Sequence, residues 1–374
     1  MLTRHDLTEL SRAHESEMVL SVYIARDGSD PGNRSGWKLR LDAALGTIRA
    51  GLEREAPGDL EGFEQASKFV ASALSTFGRV LPQEGWSAFA TAAGLVHSAV
   101  LPFAPTELVR WRQGIYAAPY VRTLKSGRPV VLALMDKWRG RLFTYRNGQL
   151  SLATELEADR SSVDASDVGM SKRASFRSSR PGKGANRMTG TSGATASDYA
   201  QRMLDEEAKR LRKHIVEAVR EMAGEGGGVA LGGTPKAIAA VRKDLEEKLE
   251  GRIVDVPELS FDSADSEIAA VAASAASELT LLRQARLLEA STETPERGST
   301  GWNRTYRALA AGAVDTLLVS RNLIESSPED AERLVRLALA QGAEVEELGD
   351  ELGAKLWADA EGVAARLRFR MAVA

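Results

Sequence analysis

The residues best suited to chemistry in this sequence are six basic side chains in one short segment. Positions 171–190 contain six Lys or Arg residues and no Asp or Glu. They are Lys172, Arg173, Arg177, Arg180, Lys183 and Arg187. Interspersed Gly and Ser residues let such cations approach phosphate oxygens closely, and each phosphate contact releases counterions. A segment that folds onto RNA is one interpretation of this composition, and a solvated linker is the other.

Two glycine-containing segments are weaker candidates for anion binding. Gly182-Lys183-Gly184 has a lysine between glycines but lacks the spacing and flanking strand of a Walker motif, so flexibility is the favoured interpretation. Residues 232–236 lie where a strand ends and a helix begins, and N–H groups at a helix start favour an anion. Thr234 as the N-cap with Pro235 at the first helical position explains that segment without a ligand.

The acidic residues give little support for a metal-dependent enzyme. Asp136, at a strand end, could join Asp205 or Glu206 in a nuclease-like metal site. The favoured interpretation of the two helical carboxylates is i,i+4 pairing, Asp205 with Lys209 and Glu206 with Arg210. The chain has no Cys and four His residues, without an H-x-x-x-H pair. That excludes thiolate chemistry and argues against a His-bound metal, so we expect neither a metal nor a cofactor.

Composition places the chain among soluble globular proteins. Its 374 residues predict two or three domains, and 43% hydrophobic with 27% charged residues is an ordinary globular mixture. The polar amino-terminal segment lacks the apolar core of a signal peptide, and no apolar stretch reaches the length of a membrane span. The expected location is cytoplasmic. The net charge of −3 conceals the strongly basic segment described above.

The elements that must position these residues predict an α/β protein of three domains. Residues 1–126 form a small α/β domain, residues 127–278 a mixed-sheet middle domain, and residues 279–374 an α/β/α domain. In the middle domain, residues 130–135 form an apolar strand, and the Asn147-Gly148 turn between alternating runs predicts a hairpin. A basic loop at 159–197 follows, expected to be disordered or mobile, and Ser197-Asp198 can begin a long helix ending near 222.

A family resemblance rests on the carboxy-terminal sequence LAAGAVDTLLVSRNL, residues 309–323, and on the order of the preceding elements. This part of the chain resembles the last domain of the archaeo-eukaryotic peptide release factors and Pelota. The hairpin, basic loop and long helix resemble the family's second domain, which has an RNase H-like sheet. The resemblance covers about residues 127–374 and points to the bacterial branch, which includes ribosome hibernation factors of the Balon type. The matching positions in the last domain are Gly312, Ala313, Val314, Gly342, Ala343, Gly362, Ala365, Leu367, Arg368 and Phe369.

What the resemblance implies about activity depends on the loop tip. The release factors carry Gly-Gly-Gln there, seven residues before an aromatic residue that opens the long helix. Counting back from Tyr199 places Ser192, Gly193 and Ala194 at these positions. The glutamine helps to position water against the ester of peptidyl-tRNA, and Ala194 has no group for that task. The Asn-Ile-Lys-Ser motif of stop-codon reading is also absent from the first 125 residues.

Three functions remain open for this sequence. The first is a non-hydrolytic ribosome-binding factor of hibernation or rescue, whose six basic residues contact rRNA or tRNA. In this function Gly190 and Gly193 allow the tip of the 159–197 loop to thread toward the peptidyl-transferase centre. The second is a peptidyl-tRNA hydrolase, active in peptide release, with a divergent catalytic loop. The third is a nuclease-like enzyme that uses the middle-domain sheet.

The resemblance also implies partners. It predicts a monomer that works with a translational GTPase, and a partner-binding role for the acidic residues between 344 and 351. Without the resemblance, those acidic residues are interpreted as a solvated surface.

Overall fold

The computed structural model describes residues 2–26, 36–78, 80–126, 128–159, 192–294 and 296–371. The chain forms two compact units, one of Met1–Gly127 with Leu281–Ala374, and one of Arg128–Thr280. Three sheets, each with helices packed on it, confirm the predicted α/β class. In these described ranges, no helix is long and apolar enough to cross a membrane.

The amino-terminal part of the first unit is built on an antiparallel sheet with the strand order β3-β2-β1-β4. Its elements are α1 (Arg4–Ala13), β1 (Met18–Ala25), α2 (Gly36–Glu55), α3 (Leu60–Ser75), β2 (Gly85–Thr91), β3 (Gly94–Leu101), β4 (Leu108–Gln113) and α4 (Val121–Ser126). Leu20 and Val22 of β1 pack with α2 and α3, whereas Val19 and Tyr23 on the opposite face join a second core. This alternation is the period of two that a strand imposes.

The second unit contains a five-stranded mixed sheet in the order β7-β6-β5-β8-β9. Its elements are β5 (Val130–Met135), β6 (Arg139–Arg146), β7 (Gln149–Glu157), α5 (Ser192–Ala223), β8 (Gly228–Gly233), α6 (Pro235–Leu249), β9 (Ile253–Asp255) and the first part of α7 (Asp265–Glu293). Alternate residues of β5 pack against α5 and α6 on one face and α7 on the other. Burial on both faces explains why β5 is continuously apolar. The mixed sheet predicted for this region is confirmed.

The carboxy-terminal part of the first unit has the predicted α/β/α layers around a sheet of order β10-β13-β11-β12. Its elements are β10 (Gly298–Thr300), α8 (Trp302–Ala310), β11 (Val314–Ser320), α9 (Arg321–Ser326), α10 (Pro328–Ala340), β12 (Glu344–Leu348), α11 (Asp350–Ala360) and β13 (Val363–Leu367). Leu317 and Val319 pack with α8 and α10, and Leu318 packs with α11 and the end of α7.

One predicted boundary near the basic segment was wrong. Helix α5 begins at Ser192 instead of Ser197, so the predicted loop 159–197 ends earlier. Ala194 and Ala196 favour a helix, and no proline interrupts residues 192–223. Three of the positions predicted for the loop tip therefore lie in the first turn of α5. Residues 160–191, which make up most of the predicted loop, lie outside the described residues.

Candidate nucleic-acid interface

The turn between β5 and β6 is organised by one carboxylate. Asp136 Oδ1 accepts hydrogen bonds from the backbone N–H groups of Trp138 (2.7 Å) and Arg139 (2.8 Å). Its Oδ2 accepts from Arg139 Nε (3.1 Å) and Nη2 (2.9 Å). Burial alone would raise the pKa of Asp136, but these hydrogen bonds together outweigh it and hold the pKa below its usual value. Asp136 is therefore an ionised acceptor that shapes the turn.

Two arginines beside this turn lie near one aromatic ring. The guanidinium carbon of Arg139 is 3.9 Å from the ring centroid of Phe261, and that of Arg141 is 5.7 Å from it. Arg141 also forms ion pairs with Glu155 and Asp265. Contact with the ring restricts both guanidinium groups. Both guanidinium groups are therefore engaged within the second unit, Arg139 by Asp136 and Arg141 by two carboxylates.

The second carboxylate of the nuclease hypothesis is also engaged. Asp205 Oδ1 accepts from Lys137 Nζ (3.1 Å) and Gln201 Nε2 (3.1 Å). The hydrogen bond from Lys137 is the main reason why the pKa of Asp205 is lowered. The expected partner of Asp205 was Lys209, one helical turn away, but the turn after β5 brings Lys137 to it instead.

The other predicted helical pair was also wrong. Arg210 bonds to Glu207 at 2.7 Å, with i,i+3 spacing, and not to Glu206. Residues three and four apart both lie on the same face of a helix, so the spacing alone does not choose between them.

The described part of the second unit contains no group of three or more His, Asp or Glu residues that could hold a metal ion. Asp136 pairs with Arg139, and Asp205 pairs with Lys137. A nuclease site would need carboxylates that converge on a metal from different elements. The geometry of Asp136 and Asp205 therefore gives no support to the nuclease alternative.

Sequence reasoning missed a basic groove between α5 and α6. The groove has a volume of about 500 Å³. Basic residues on both helices were visible in the sequence, but the packing that brings the two helices together was not. The charged lining consists of six basic residues, Lys209, Arg210, Arg212, Lys213, Arg220 and Lys243, and three acidic ones, Glu206, Asp244 and Glu247.

Two arginines of this groove have a structural role, and three lysines remain exposed. Arg212 Nε lies 3.0 Å from Asp244 Oδ2, and Arg220 donates to the backbone oxygen of Asp244, so these arginines hold α5 to α6. Exposed ammonium groups along one groove form a surface that suits a phosphate backbone. The exposed lysines are Lys209, Lys213 and Lys243.

The glycines at the end of β8 have a packing role. A Cβ on Gly233 would lie 1.9 Å from the backbone oxygen of Met135, and φ of Gly233 is +113°. A Cβ on Gly232 would lie 2.6 Å from Leu134 Cδ2. Close approach to β5 therefore explains both glycines without a ligand.

The start of α6 was predicted correctly in one respect and wrongly in another. Pro235 occupies the first turn of the helix, and Thr234 is its N-cap residue. The side chain of Thr234 makes no capping hydrogen bond. The fixed φ of proline is therefore the local feature that favours a helix start here.

The structure leaves the predicted RNA contacts untested. The backbone of Ser192, Gly193 and Ala194 is helical. The remaining residues of the predicted site lie outside the described residues and stay predictions: Lys172, Arg173, Arg177, Arg180, Lys183, Arg187 and Gly190.

The prediction of an exposed acidic surface at residues 344–351 was wrong in part. The side chains of Glu346 and Glu347 are each only 2% exposed. Glu346 pairs with Arg283 (3.2 Å) and Glu347 with Arg321 (3.0 Å). Both arginines compensate carboxylates that would otherwise be costly to bury. These ion pairs hold the end of α7 and the start of α9 to β12.

Comparison with protein families agrees with the resemblance seen in the sequence. Residues 116–278 match the family described as bacterial archaeo-eukaryotic release factor family 10. The resemblance to the bacterial branch of the release factors is therefore confirmed over these residues. No curated protein matches the chain.

Solved structures give a distant likeness. An archaeal translation termination factor, aRF1, is 16% identical, with 98% of this chain and 99% of that chain covered and a TM-score of 0.26. The Saccharomyces cerevisiae protein Dom34, a translation termination-like factor, is 11% identical, with 66% and 65% covered and a TM-score of 0.41. Archaeoglobus fulgidus Pelota is 15% identical, with 79% and 82% covered and a TM-score of 0.35. Likenesses this distant carry no conclusion about activity.

Proposed function

We propose that this chain is a translation factor that binds the ribosome without hydrolysing peptidyl-tRNA. The observation that carries the proposal is the family match over residues 116–278, which includes the basic segment and the position where Ala194 replaces glutamine. Hibernation or rescue of ribosomes is the role that suits a factor with this replacement. The expected location is the cytoplasm, and the expected partners are rRNA, tRNA and a translational GTPase, with the factor acting as a monomer.

The basic segment supplies the phosphate contacts of this proposal. Between residues 171 and 190 its six cations have no acidic neighbour in the sequence. Gly190 and Gly193 are the positions proposed to let the backbone approach RNA closely. The groove between α5 and α6 supports the proposal with further cations, because Lys209 and Lys213 lie on the helix that follows this segment.

Peptide release is the alternative that the same match supports. It would require another group to position water in place of the missing glutamine, and Thr191 and Ser192 carry the nearest hydroxyls before Ala194. A hydroxyl two or three residues from the required position changes the distance to the ester, and catalysis depends steeply on such distances. Release activity is therefore the less favoured function.

Co-sedimentation with vacant bacterial ribosomes at two salt concentrations tests the proposal. We expect stoichiometric pelleting at low salt that falls at high salt, because binding through phosphate contacts releases counterions. Absence of pelleting at low salt, also with peptidyl-tRNA bound, would contradict it.

A peptide-release assay separates the two functions. Purified protein is added to ribosomes carrying labelled peptidyl-tRNA, with a Gly-Gly-Gln release factor as the positive control. We expect binding without release of the peptide. Release at a rate comparable with that of the control would establish the hydrolase instead.

A further inference from the structure

The edge strands of the three sheets differ in how they are protected against pairing with another chain. Charged residues and very short strands are the usual protection. The carboxy-terminal sheet ends in β10, of three residues, and β12, with three glutamates. The sheet of the second unit ends in β9, also of three residues, and β7, with two glutamates. The amino-terminal sheet ends in β4, with two arginines, and β3, which is neither short nor charged.

Strand β3 belongs to a segment of the chain without charge. Residues 85–106 contain no Asp, Glu, Lys or Arg. Within the described residues, β2 is the only strand that pairs with β3, and no loop donates a backbone hydrogen bond to it. An uncharged edge of this length is a template for an additional strand.

The hydrogen bonds of the sheet decide which backbone groups of β3 point outward. The backbone N–H of Arg26 donates to the backbone oxygen of Glu84 at 2.8 Å, so Glu84 and every second residue after it in β2 bond to β1. The residues between them bond to β3, which assigns Ala99 to the ladder with β2. Ser98 and Val100 therefore direct their N–H and C=O groups away from the sheet.

The face of this edge that lies toward α3 is apolar. Leu95 and Val100 lie opposite Ala90 and Trp86 of β2, whose side chains pack with α2 and α3. Leu95 is 40% exposed, and Val100 is half-buried. Both side chains can therefore gain apolar contacts from a strand added beside β3.

Helix α3 contributes a second apolar wall beside the edge. Glu64 lies on the flank of α3 that faces α2, because its Oε1 is 3.3 Å from Arg49 Nη2. Phe69 lies on the other flank, toward β3, and is half-buried. An added strand can place apolar side chains between Phe69 on one side and Leu95 and Val100 on the other.

A second copy of β3 is the strand that fits this edge best. Its own residues are uncharged, so no register of an antiparallel pair places like charges opposite each other. The same pairing of β7 or β12 would bring glutamates close together. A charged strand from another protein would meet no opposite charge within residues 85–106.

We propose that two copies of the chain associate through their β3 strands, paired antiparallel across a two-fold axis near Ser98. Such a pair joins the two amino-terminal sheets into one continuous sheet and uses the same surface on both copies. Pairing through a single edge buries less area than a permanent dimer does, so the association is weak and reversible. The inference concerns the free chain and does not rest on the proposed function, in which one chain acts on the ribosome.

Sedimentation velocity of the full chain tests the association. We expect a monomer–dimer equilibrium between about 1 and 200 µM that persists in about 0.5 M salt, because no charged residue takes part. A chain that stays monomeric at the highest concentration would overturn the proposal. A dimer that dissociates in high salt would also overturn it, since its contacts would then be electrostatic.

A charged substitution at the outward edge locates the contact. Ser98 is exposed, so Ser98→Lys leaves the core intact, but it brings two ammonium groups together near the two-fold axis. We expect the dimer to weaken about 5-fold or more, with circular dichroism verifying the fold. Thr47→Lys adds the same charge at an exposed position of α2 and should leave the dimer unchanged. Equal dimer stability in the two variants would place the contact on another surface.

Cross-linking gives a second measurement that does not depend on a destabilised variant. The chain has no cysteine, so Ser98→Cys and Thr47→Cys each contain one thiol. A short bismaleimide should link two copies of Ser98→Cys much faster than two copies of Thr47→Cys. Similar rates of linking for the two variants would contradict pairing through β3.

Discussion

Glu332 is a buried carboxyl whose protonation is linked to folding. Its pKa is about 7 in the folded chain, above the ordinary glutamate value of 4.5. The folded chain therefore binds this proton more tightly than the unfolded chain does. The resulting contribution to stability is complete below about pH 4.5 and is lost as pH rises through 7.

We expect Glu332→Gln to remove this dependence on pH. The amide oxygen can still accept from Ala117 and Ala118, and no ionisation has to be suppressed by burial. The linked free energy in the wild-type chain amounts to about 3 kcal/mol between pH 4.5 and 8. Urea unfolding of both proteins at pH 5 and pH 8 measures it, and the variant should gain stability relative to wild type at pH 8.

The control for Glu332 is Glu325→Gln, which changes an exposed carboxylate of α9. It should leave the pH dependence as in the wild type. If Glu332→Gln and wild type lose the same stability between pH 5 and pH 8, Glu332 is not the linked group.

At the scale of single elements, the junction of β8 with β5 depends on a glycine. Gly233 has φ of +113°, and a Cβ there would lie 1.9 Å from the oxygen of Met135. We expect Gly233→Ala to lower the free energy of unfolding by about 3 kcal/mol or more, because backbone strain and a backbone clash combine. Chemical denaturation of the purified variant measures this loss.

Gly226→Ala is the matched control, because no atom lies within 4 Å of a Cβ at that position. It should change stability by less than about 1 kcal/mol. Equal tolerance of both substitutions would show that packing does not require Gly233. The anion-binding interpretation of residues 232–236 would then regain support.

Elements with a strong local pattern could be predicted from the sequence. The apolar run of β5 and the turn Asn147-Gly148, with φ of +54° and +78°, lie where they were expected. The three-residue strand β10 was missed because it is too short to show a period. Helix α11 was also missed, although Leu352, Leu356 and Ala360 recur at helical spacing. The partners of Asp205 and Glu347 could not be predicted, since Lys137 and Arg321 come from other elements that only the fold brings near.

At the scale of the whole molecule, the two segments of the first unit contribute to one hydrophobic core. Leu7 and Tyr23 share this core with Leu309, Val319 and Leu334. The predicted domain boundaries at residues 126 and 278 separate the three sheets along the sequence. Separate folding of the three domains stays a prediction. Stability of the first unit must therefore be measured with both segments present.

Charge is distributed unevenly along the chain. The whole chain carries −3, although residues 171–190 contribute six positive charges and no negative one. The remaining residues therefore carry a larger excess of negative charge than the net value suggests. Because an excess of negative charge repels a phosphate backbone, binding to a ribosome has to depend on local basic regions.

Replacement of four basic residues of the segment tests that dependence. We expect weaker ribosome binding and a slope of log affinity against log salt that is flatter by up to about four units, fewer if only some of these residues reach phosphate. Co-sedimentation over a salt series measures the slope, and thermal unfolding verifies that the variant is folded. The residues replaced together by Ala are Arg177, Arg180, Lys183 and Arg187.

The matched control replaces four exposed basic residues elsewhere, namely Arg49, Arg54, Lys68 and Lys355. It makes the same change in total charge, so a general loss of electrostatic attraction would flatten both slopes equally. Only direct phosphate contacts by the basic segment make the two slopes differ, because counterions are released where cations meet phosphates. Identical slopes for the two variants would therefore remove this segment from the binding mechanism.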